Sequence, residues 1–369
     1  MTTFAVVTGG GTSGHVLPAL AVAEGLVARG HDPSTIAYIG ARRGIETRLL
    51  PETPFPSTFL DVVGVQRTLS RRNIIMNLQF LPKMWRARRT AIAMLRADRP
   101  RVVVSVGGYA SMPAVFAAKK LGIPIVVVSF DLLPGRASRL AARGAAACAV
   151  AFNGSSLPRA TVTGAPVRQA VLDVDRVSDR SRARAALGLP GDRFVVAVMG
   201  GSQGSGLLNA AVDRILDARR ADHTLAIRHA VGERFVSTAH PAADGDTGVL
   251  YQPVGYEADM PTVYAAADLL VGRGGASTVH EVAVTGIPAI LVPWAQSADD
   301  HQTLNVRWLS DQGAAICLTE SEIGALPEVI ERLRGSAAEL HNLSSSAYDM
   351  GQLHRSGALA GLVESIALA

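Results

Sequence analysis

Two stretches of the chain repeat one local pattern, and that repeat limits the possible folds more than any other feature. Phe4 to Thr8 is a short apolar run that feeds into Gly9-Gly10-Gly11-Thr12-Ser13-Gly14-His15 and then an Ala/Leu-rich segment. Near the middle, Phe194 to Met199 feeds into Gly200-Gly201-Ser202-Gln203-Gly204-Ser205-Gly206 and then Leu207 to Leu216. Each reads as strand, glycine turn and helix start, a geometry that aims backbone N–H groups and a positive helix end at an anion, most often phosphate. Two such units heading two similar halves predict two nucleotide-fold domains with a cleft between them.

The length of 369 residues suits about two domains. An apolar fraction of 48% with only 18% charged residues, much of it Ala and Val, suits parallel sheets buried on both faces. The net charge of +5 fits an anionic ligand, an acidic membrane surface or nucleic acid without choosing among them. Cys148 and Cys317 lie in apolar runs and read as buried free thiols of a reducing compartment. Met1-Thr2-Thr3 carries no basic leader, and no run reaches the ~18 apolar residues of a membrane span. Membrane contact is therefore expected to be peripheral.

Strand-like runs alternate with helical patterns. They fall at Phe4–Thr8, Thr35–Ile39, Val102–Val106, Pro124–Ser129, Ala147–Phe152 and Ala160–Thr163. In the second half they fall at Phe194–Met199, Thr224–Ala230, Val249–Pro253, Leu269–Val271, Ala289–Val292 and Ala315–Leu318. This alternation predicts an α/β fold with a doubly wound parallel sheet in each half. The expected domains are 1–165 and 166–345, with a terminal helical stretch, 346–369, returning to the first.

Gly9, Gly11 and Gly14 satisfy G-x-G-x-x-G, so a dinucleotide reading has to be weighed. The acid that would hold a ribose is missing from the second strand, which ends Gly40-Ala41-Arg42-Arg43. This argues against NAD and leaves NADP open through the two arginines. The run from Leu269 to Glu281 is more specific: strand, glycine loop, then a helix beginning at Ala276 or Ser277. Its amides suit a diphosphate, and the two oxygens of Glu281 suit ribose hydroxyls; a helix-dipole partner is the plainer role for Glu281. The polar cluster Asp299-Asp300-His301-Gln302 follows the next buried strand, where ligand contacts gather. No spacing typical of a metal site is present, so no metal is expected to be obligatory.

Five motifs, Gly10–Ala21, Gly107–Pro113, Thr163–Arg168, Gly200–Ser205 and Gly274–Glu281, together closely resemble the MurG family of glycosyltransferases. The resemblance covers almost the whole chain, and the motifs stand in the family's order and spacing. It implies a two-domain GT-B fold and inverting transfer of N-acetylglucosamine (GlcNAc) from UDP-GlcNAc to lipid I, giving the lipid II of peptidoglycan synthesis. It further implies a polyprenyl-linked acceptor, the cytoplasmic face of the cell membrane, and other cell-wall synthesis proteins as partners. By carry-over, Arg168 and the backbone near Tyr256 and Glu257 face the uracil, and Glu281 holds the ribose. Thr12, Ser13, Gly14, Ser202 and Gln203, with the amides of Ala276 and Ser277, lie near the diphosphate, and His301 and Gln302 contact the sugar. One segment departs from the pattern: where the family carries H-E-Q-N, this chain has Val128-Ser129-Phe130-Asp131. That segment belongs to the acceptor side. It keeps two other readings open, a glycosyltransferase with another acceptor and an inert UDP-sugar- or lipid-binding scaffold.

Inverting transfer needs a base at the attacking hydroxyl and positive potential at the departing diphosphate. His15, with an ordinary pKa of about 6.5, is the first candidate base, and its alternative role is binding phosphate as a cation. Asp131 is the second candidate, and His280 reads as structural. Residues 66–89 interleave basic and apolar side chains, which reads as a surface for anionic lipid or as an ordinary solvated helix. No nucleic-acid-binding motif accompanies the charge.

Overall fold

The computed structural model describes residues 3–62, 64, 71–201, 203–246, 248–297 and 300–369, with 71–79 as helical backbone alone. Its contacts divide the chain into two units, Met1–Gln169 with Leu353–Ala369, and Ala170–Gln352.

The first unit is built on the sheet β3-β2-β1-β4-β5-β6-β7, in which every pairing is parallel. Its strands are β1 (Ala5–Thr8), β2 (Ile36–Ala41), β3 (Ser57–Leu60), β4 (Val102–Ser105), β5 (Ile125–Ser129), β6 (Ala147–Val150) and β7 (Ala160–Val162). Between them run α1 (Ser13–Ala28), α2 (Glu46–Leu49), α3 (Arg71–Asp98), α4 (Met112–Leu121) and α5 (Arg136–Ala142). β1, β4, β5 and β6 are buried along their whole length, which requires helices on both faces. Between β1 and β4 the strand order reverses, so the loops leaving their carboxyl ends flank a crevice.

The second unit repeats the plan. After α6 (Gln169–Leu172) and α7 (Arg180–Leu187) come β8 (Phe194–Met199), α8 (Gly206–Ala218), β9 (Leu225–Ala230), β10 (Ala243–Asp244), β11 (Leu250–Val254), α9 (Met260–Ala266), β12 (Leu269–Arg273), α10 (Ala276–Thr285), β13 (Ala289–Val292), α11 (His301–Ser310) and β14 (Ile316–Cys317). α12 (Leu326–Arg334) and α13 (Ala337–Met350) complete it. The sheet order is β10-β11-β9-β8-β12-β13-β14, and the reversal here lies between β8 and β12. α14 (Gln352–Arg355) and α15 (Ala358–Leu368) then lead back to the first unit, where Arg29 and His31 both reach Glu364.

The α/β class and both doubly wound sheets agree with the sequence reading. Two strands escaped it. β3 is four residues of mixed exposure at a sheet edge, and β10 is a two-residue antiparallel edge piece; neither is long enough to show a period. Cys148 is buried, but Cys317 on the last edge strand is half-buried rather than buried. The contacts change from the first unit to the second after Gln169 and back at Leu353, against expected boundaries at 165 and 346.

α7 is fastened to the second sheet by charge. Arg184, with a side chain 3% exposed, meets Asp268 at 2.7 Å and donates to the carbonyls of Ala266, Pro190, Gly191 and Arg193. Asp268 also takes the Val195 N–H at 2.7 Å and pairs with Arg180. Asp268→Ala leaves a guanidinium buried without its carboxylate, and removing one partner of such a pair costs about 3–5 kcal/mol. The expected result is a lower urea midpoint for the transition of the second unit.

Candidate active site

Both reversal points carry glycine loops. In the first unit the loop after β1 lies against the loop after β4: a Cβ placed on Gly108, at φ +75°, would stand 2.6 Å from the Gly10 carbonyl oxygen. Only glycine permits that approach and that backbone angle. The His15 ring rests on this platform, 3.3 Å from the Cβ position of Gly107 and 3.4 Å from that of Gly108.

His15 Nδ1 lies 3.1 Å from Thr12 Oγ1. Burial holds the His15 pKa below its ordinary value, and the opposing influence is the charge of Asp131. The two candidate bases are thus brought within electrostatic reach of each other. Thr12 caps α1 with its backbone only, its side chain being turned to His15, so the Ser13 and Gly14 N–H groups open the helix without a side-chain cap.

The Gly9–Gly11 turn itself differs from expectation. Its Gly11 N–H does not face outward for an anion; it donates to the carboxylate of Glu46, at 3.2 Å and 3.4 Å to the two oxygens. An internal acid fills that part of the turn. The anion-binding potential of the first loop rests instead on the start of α1.

In the second unit the two glycine loops are not equivalent. The loop after β8 is closed from within: Ser205 caps α8 by accepting the Leu208 N–H, and Arg273 donates to the Ser205 hydroxyl at 2.8 Å. Arg273 is held in turn by Glu320 at 2.7 Å. The loop after β12 is open: Gly275 caps α10 and offers no side chain, leaving the Ala276, Ser277 and Thr278 amides uncapped. Gly274 is required there because a Cβ would meet Val306 at 2.5 Å and the Gln302 carbonyl at 2.9 Å. Glu281 follows on α10, half-buried, and accepts the Tyr264 hydroxyl at 2.6 Å. Gln302 stands on α11, where its Oε1 accepts the Trp294 N–H at 2.9 Å. His301 opens α11.

The remaining expected site residues are placed as follows. Arg168 belongs to the first unit rather than the second, and its Nε meets Glu24 of α1 at 2.7 Å while the Gln169 N–H takes the other oxygen. Glu257 is buried and committed to Arg228 at 2.8 Å and to the Asp259 N–H. Tyr256 and Gln203 are exposed. Ser202 and Asp299 lie outside the described residues. His280 is buried, with its ring 5.6 Å from that of Trp308.

Family models agree with this doubled plan. One for the glycosyltransferase family 28 N-terminal domain matches residues 5–150, and one for the C-terminal domain of the same family matches 195–354. The chain belongs to glycosyltransferase family 28. Among family relatives, it is 38% identical over 365 residues to a UDP-N-acetylglucosamine–N-acetylmuramyl-(pentapeptide) pyrophosphoryl-undecaprenol N-acetylglucosamine transferase of Clavibacter michiganensis, covering 97% of this chain and 95% of that one. An enzyme of the same name from Corynebacterium efficiens is 37% identical, covering 98% and 97%. The crystal structure of Acinetobacter baumannii MurG superposes with a TM-score of 0.71 at 26% identity, over the full length of both chains. The resemblance read from the five motifs is therefore correct, and the family assignment sets the NADP alternative aside.

Glu46, Tyr264, Arg273 and Ser205 were not singled out from the sequence. Glu46 follows the second strand by five residues and carries no motif of its own; Gly44, whose Cβ position falls 1.8 Å from its carboxylate, is the nearest signal.

Beneath the closed loop of the second unit, His229 is 1% exposed, with Nδ1 at 3.1 Å from the Tyr251 hydroxyl and Nε2 at 3.1 Å from Asn209 Oδ1. Burial lowers its pKa from 6.5 to about 4. The unfolded chain takes up the proton first, so this histidine destabilises the fold as pH falls from about 6.5 to about 4. At 1.4 kcal/mol per unit the loss is about 3 kcal/mol. Denaturant midpoints of the wild type should fall across that window, and those of His229→Gln should fall less steeply.

Proposed function

We propose that this protein transfers GlcNAc from UDP-GlcNAc, with inversion, to the 4-hydroxyl of N-acetylmuramic acid in undecaprenyl-diphosphate-MurNAc-pentapeptide, converting lipid I to lipid II. The observation that carries the reading is the end-to-end match to transferases named for this reaction, at 37–38% identity. The uncapped start of α10 with Glu281 one turn further on supports it on the donor side. The amides of Ala276 and Ser277 take the diphosphate, Glu281 the ribose, and His301 and Gln302 the sugar hydroxyls. His15 supports it on the acceptor side. Its Nδ1 lies 3.1 Å from Thr12 Oγ1; the tautomer in which Nδ1–H donates to that hydroxyl oxygen is the one whose Nε2 lone pair accepts the proton.

In the step itself, the acceptor O4 forms a bond to the anomeric carbon as the bond from that carbon to the UDP oxygen breaks. The hydroxyl proton passes to His15, and UDP leaves as an anion stabilised by helix-terminal amides. A depressed pKa keeps His15 neutral, and so ready to accept, at physiological pH. Asp131 stabilises the imidazolium once it forms. His15→Ala should lower kcat by about 10²–10⁴-fold, the usual worth of a general base, while UDP binding by calorimetry stays near wild type. Equal losses in both would assign the ring to phosphate binding. Turnover only with acceptors other than a short-chain lipid I analogue would favour a transferase of different acceptor specificity, the reading that Val128-Ser129-Phe130-Asp131 keeps open.

The same reading brings the protein to the cytoplasmic face of the membrane as a peripheral enzyme, beside other cell-wall synthesis proteins. No helix among the described residues is long and apolar enough to cross a bilayer. On α3, Leu81 is 72% and Trp85 56% exposed, and the Arg89 guanidinium lies over the Trp85 ring at 4.6 Å. Exposed apolar and cationic groups on one helix fit anionic lipid. Of the sequence segment 66–89, residues 66–70 lie outside the described residues. Vesicles containing phosphatidylglycerol should sediment the wild type at low salt. Binding should weaken with salt, with neutral lipid and in a Leu81→Ser, Trp85→Ser double variant.

A further inference from the structure

We propose that Glu46 is a positioning residue that takes the place of an anion inside the first glycine loop and so sets the platform on which His15 sits. The inference rests on the reading of His15 as the base and extends it to a residue outside the five motifs. Glu46 is fully buried. Its Oε1 accepts the Ala41 N–H at 2.8 Å, from the end of β2, and the Gly11 N–H at 3.2 Å, from the loop after β1. One carboxylate therefore ties together the ends of two neighbouring strands. The space around it is kept by glycines: a Cβ on Gly10 would lie 2.3 Å from Oε1, one on Gly44 1.8 Å from Oε2, and one on Gly40 3.0 Å from Cγ.

The consequence travels through backbone. Glu46 holds Gly11; Gly10 packs its carbonyl against Gly108; Gly107 and Gly108 form the surface under the His15 ring. Tyr38 adds a second tie, its hydroxyl donating to the Gly9 carbonyl at 2.7 Å. A loop held in this way is formed before any substrate arrives, and its remaining freedom lies at the start of α1. Misplacing a reacting group by about 1 Å can cost about a hundred-fold in rate, so a fixed platform matters to kcat more than to binding.

The test is Glu46→Gln, which keeps the shape and one acceptor oxygen but removes the charge and puts an NH2 where Oε2 faces the Gly11 N–H at 3.4 Å. Its kcat and KM for UDP-GlcNAc would be measured beside an NMR titration of the His15 ring, with the melting temperature as control. The expected result is a fall in kcat of about ten-fold or more, a KM within about two-fold of wild type, and a His15 midpoint that rises toward 6.5 as the ring loses its enclosure. Should Glu46→Gln fail to fold, Glu46→Asp, which withdraws the carboxylate by one methylene, is read the same way. A folded variant with a lower melting temperature but an unmoved His15 midpoint and unchanged kcat overturns the proposal. A midpoint that moves while kcat does not would uphold the positioning role and overturn His15 as the base.

Discussion

A parallel strand covered on both faces has room for functional groups only at its ends. In β1, β4, β5, β8 and β13 the interior is given over to Val, Ile, Leu and Ala, so polar chemistry is pushed to the loops leaving the carboxyl ends. The reversal of strand order then selects, within each unit by itself, which loops can open onto a crevice: those after β1 and β4 in the first, and those after β8 and β12 in the second. His15, Gly107, Gly108, Gly274 and Gly275 lie at or beside three of those ends, those of β1, β4 and β12. The site is a consequence of sheet burial before it is a consequence of any individual side chain.

Three of these four loops start from similar glycine-rich text and end in different states. At α1 and α10 the cap residue contributes no side chain to the helix start, and the leading amides stay available. At α8 the Ser205 hydroxyl fills that role and is itself held by Arg273. A glycine loop therefore marks a place where a backbone can receive an anion, and the residue at the cap decides whether it is left free to do so. In the first loop a third arrangement appears, in which a carboxylate of the protein occupies part of the turn from inside.

Much of this was legible in the sequence. The buried strands declared themselves as continuous Val- and Ile-rich runs, and Phe194–Met199 and Ala289–Val292 match their observed limits. The open α10 loop could be read because strand, glycines and Glu281 stand within a few residues of one another. What could not be read was pairing at a distance. Arg42-Arg43, just past the end of β2, drew attention for the acid missing there. Nothing in the local text showed that Glu46, a short way on, turns inward to serve the neighbouring loop. Arg168 is similar: its motif pointed to a donor contact, whereas Glu24, far away in sequence, supplies the partner seen here. Edge strands such as β3 fell below the length at which hydrophobic periodicity carries information.

The terminal helix α15 has a bearing on how the molecule is made. It packs against α1 with Leu359, Ala360 and Val363 buried, and His354 just before it accepts the Ala165 N–H at 3.1 Å. These pieces come after the whole second unit in chain order. During synthesis the second sheet therefore has all its strands while the first still lacks its closing helix. The usual amino-to-carboxyl order of domain completion is inverted. The helix bearing His15 gets its outer cover only after the whole second unit has been made, so a growing chain passes through a state with the second sheet complete and the first still open.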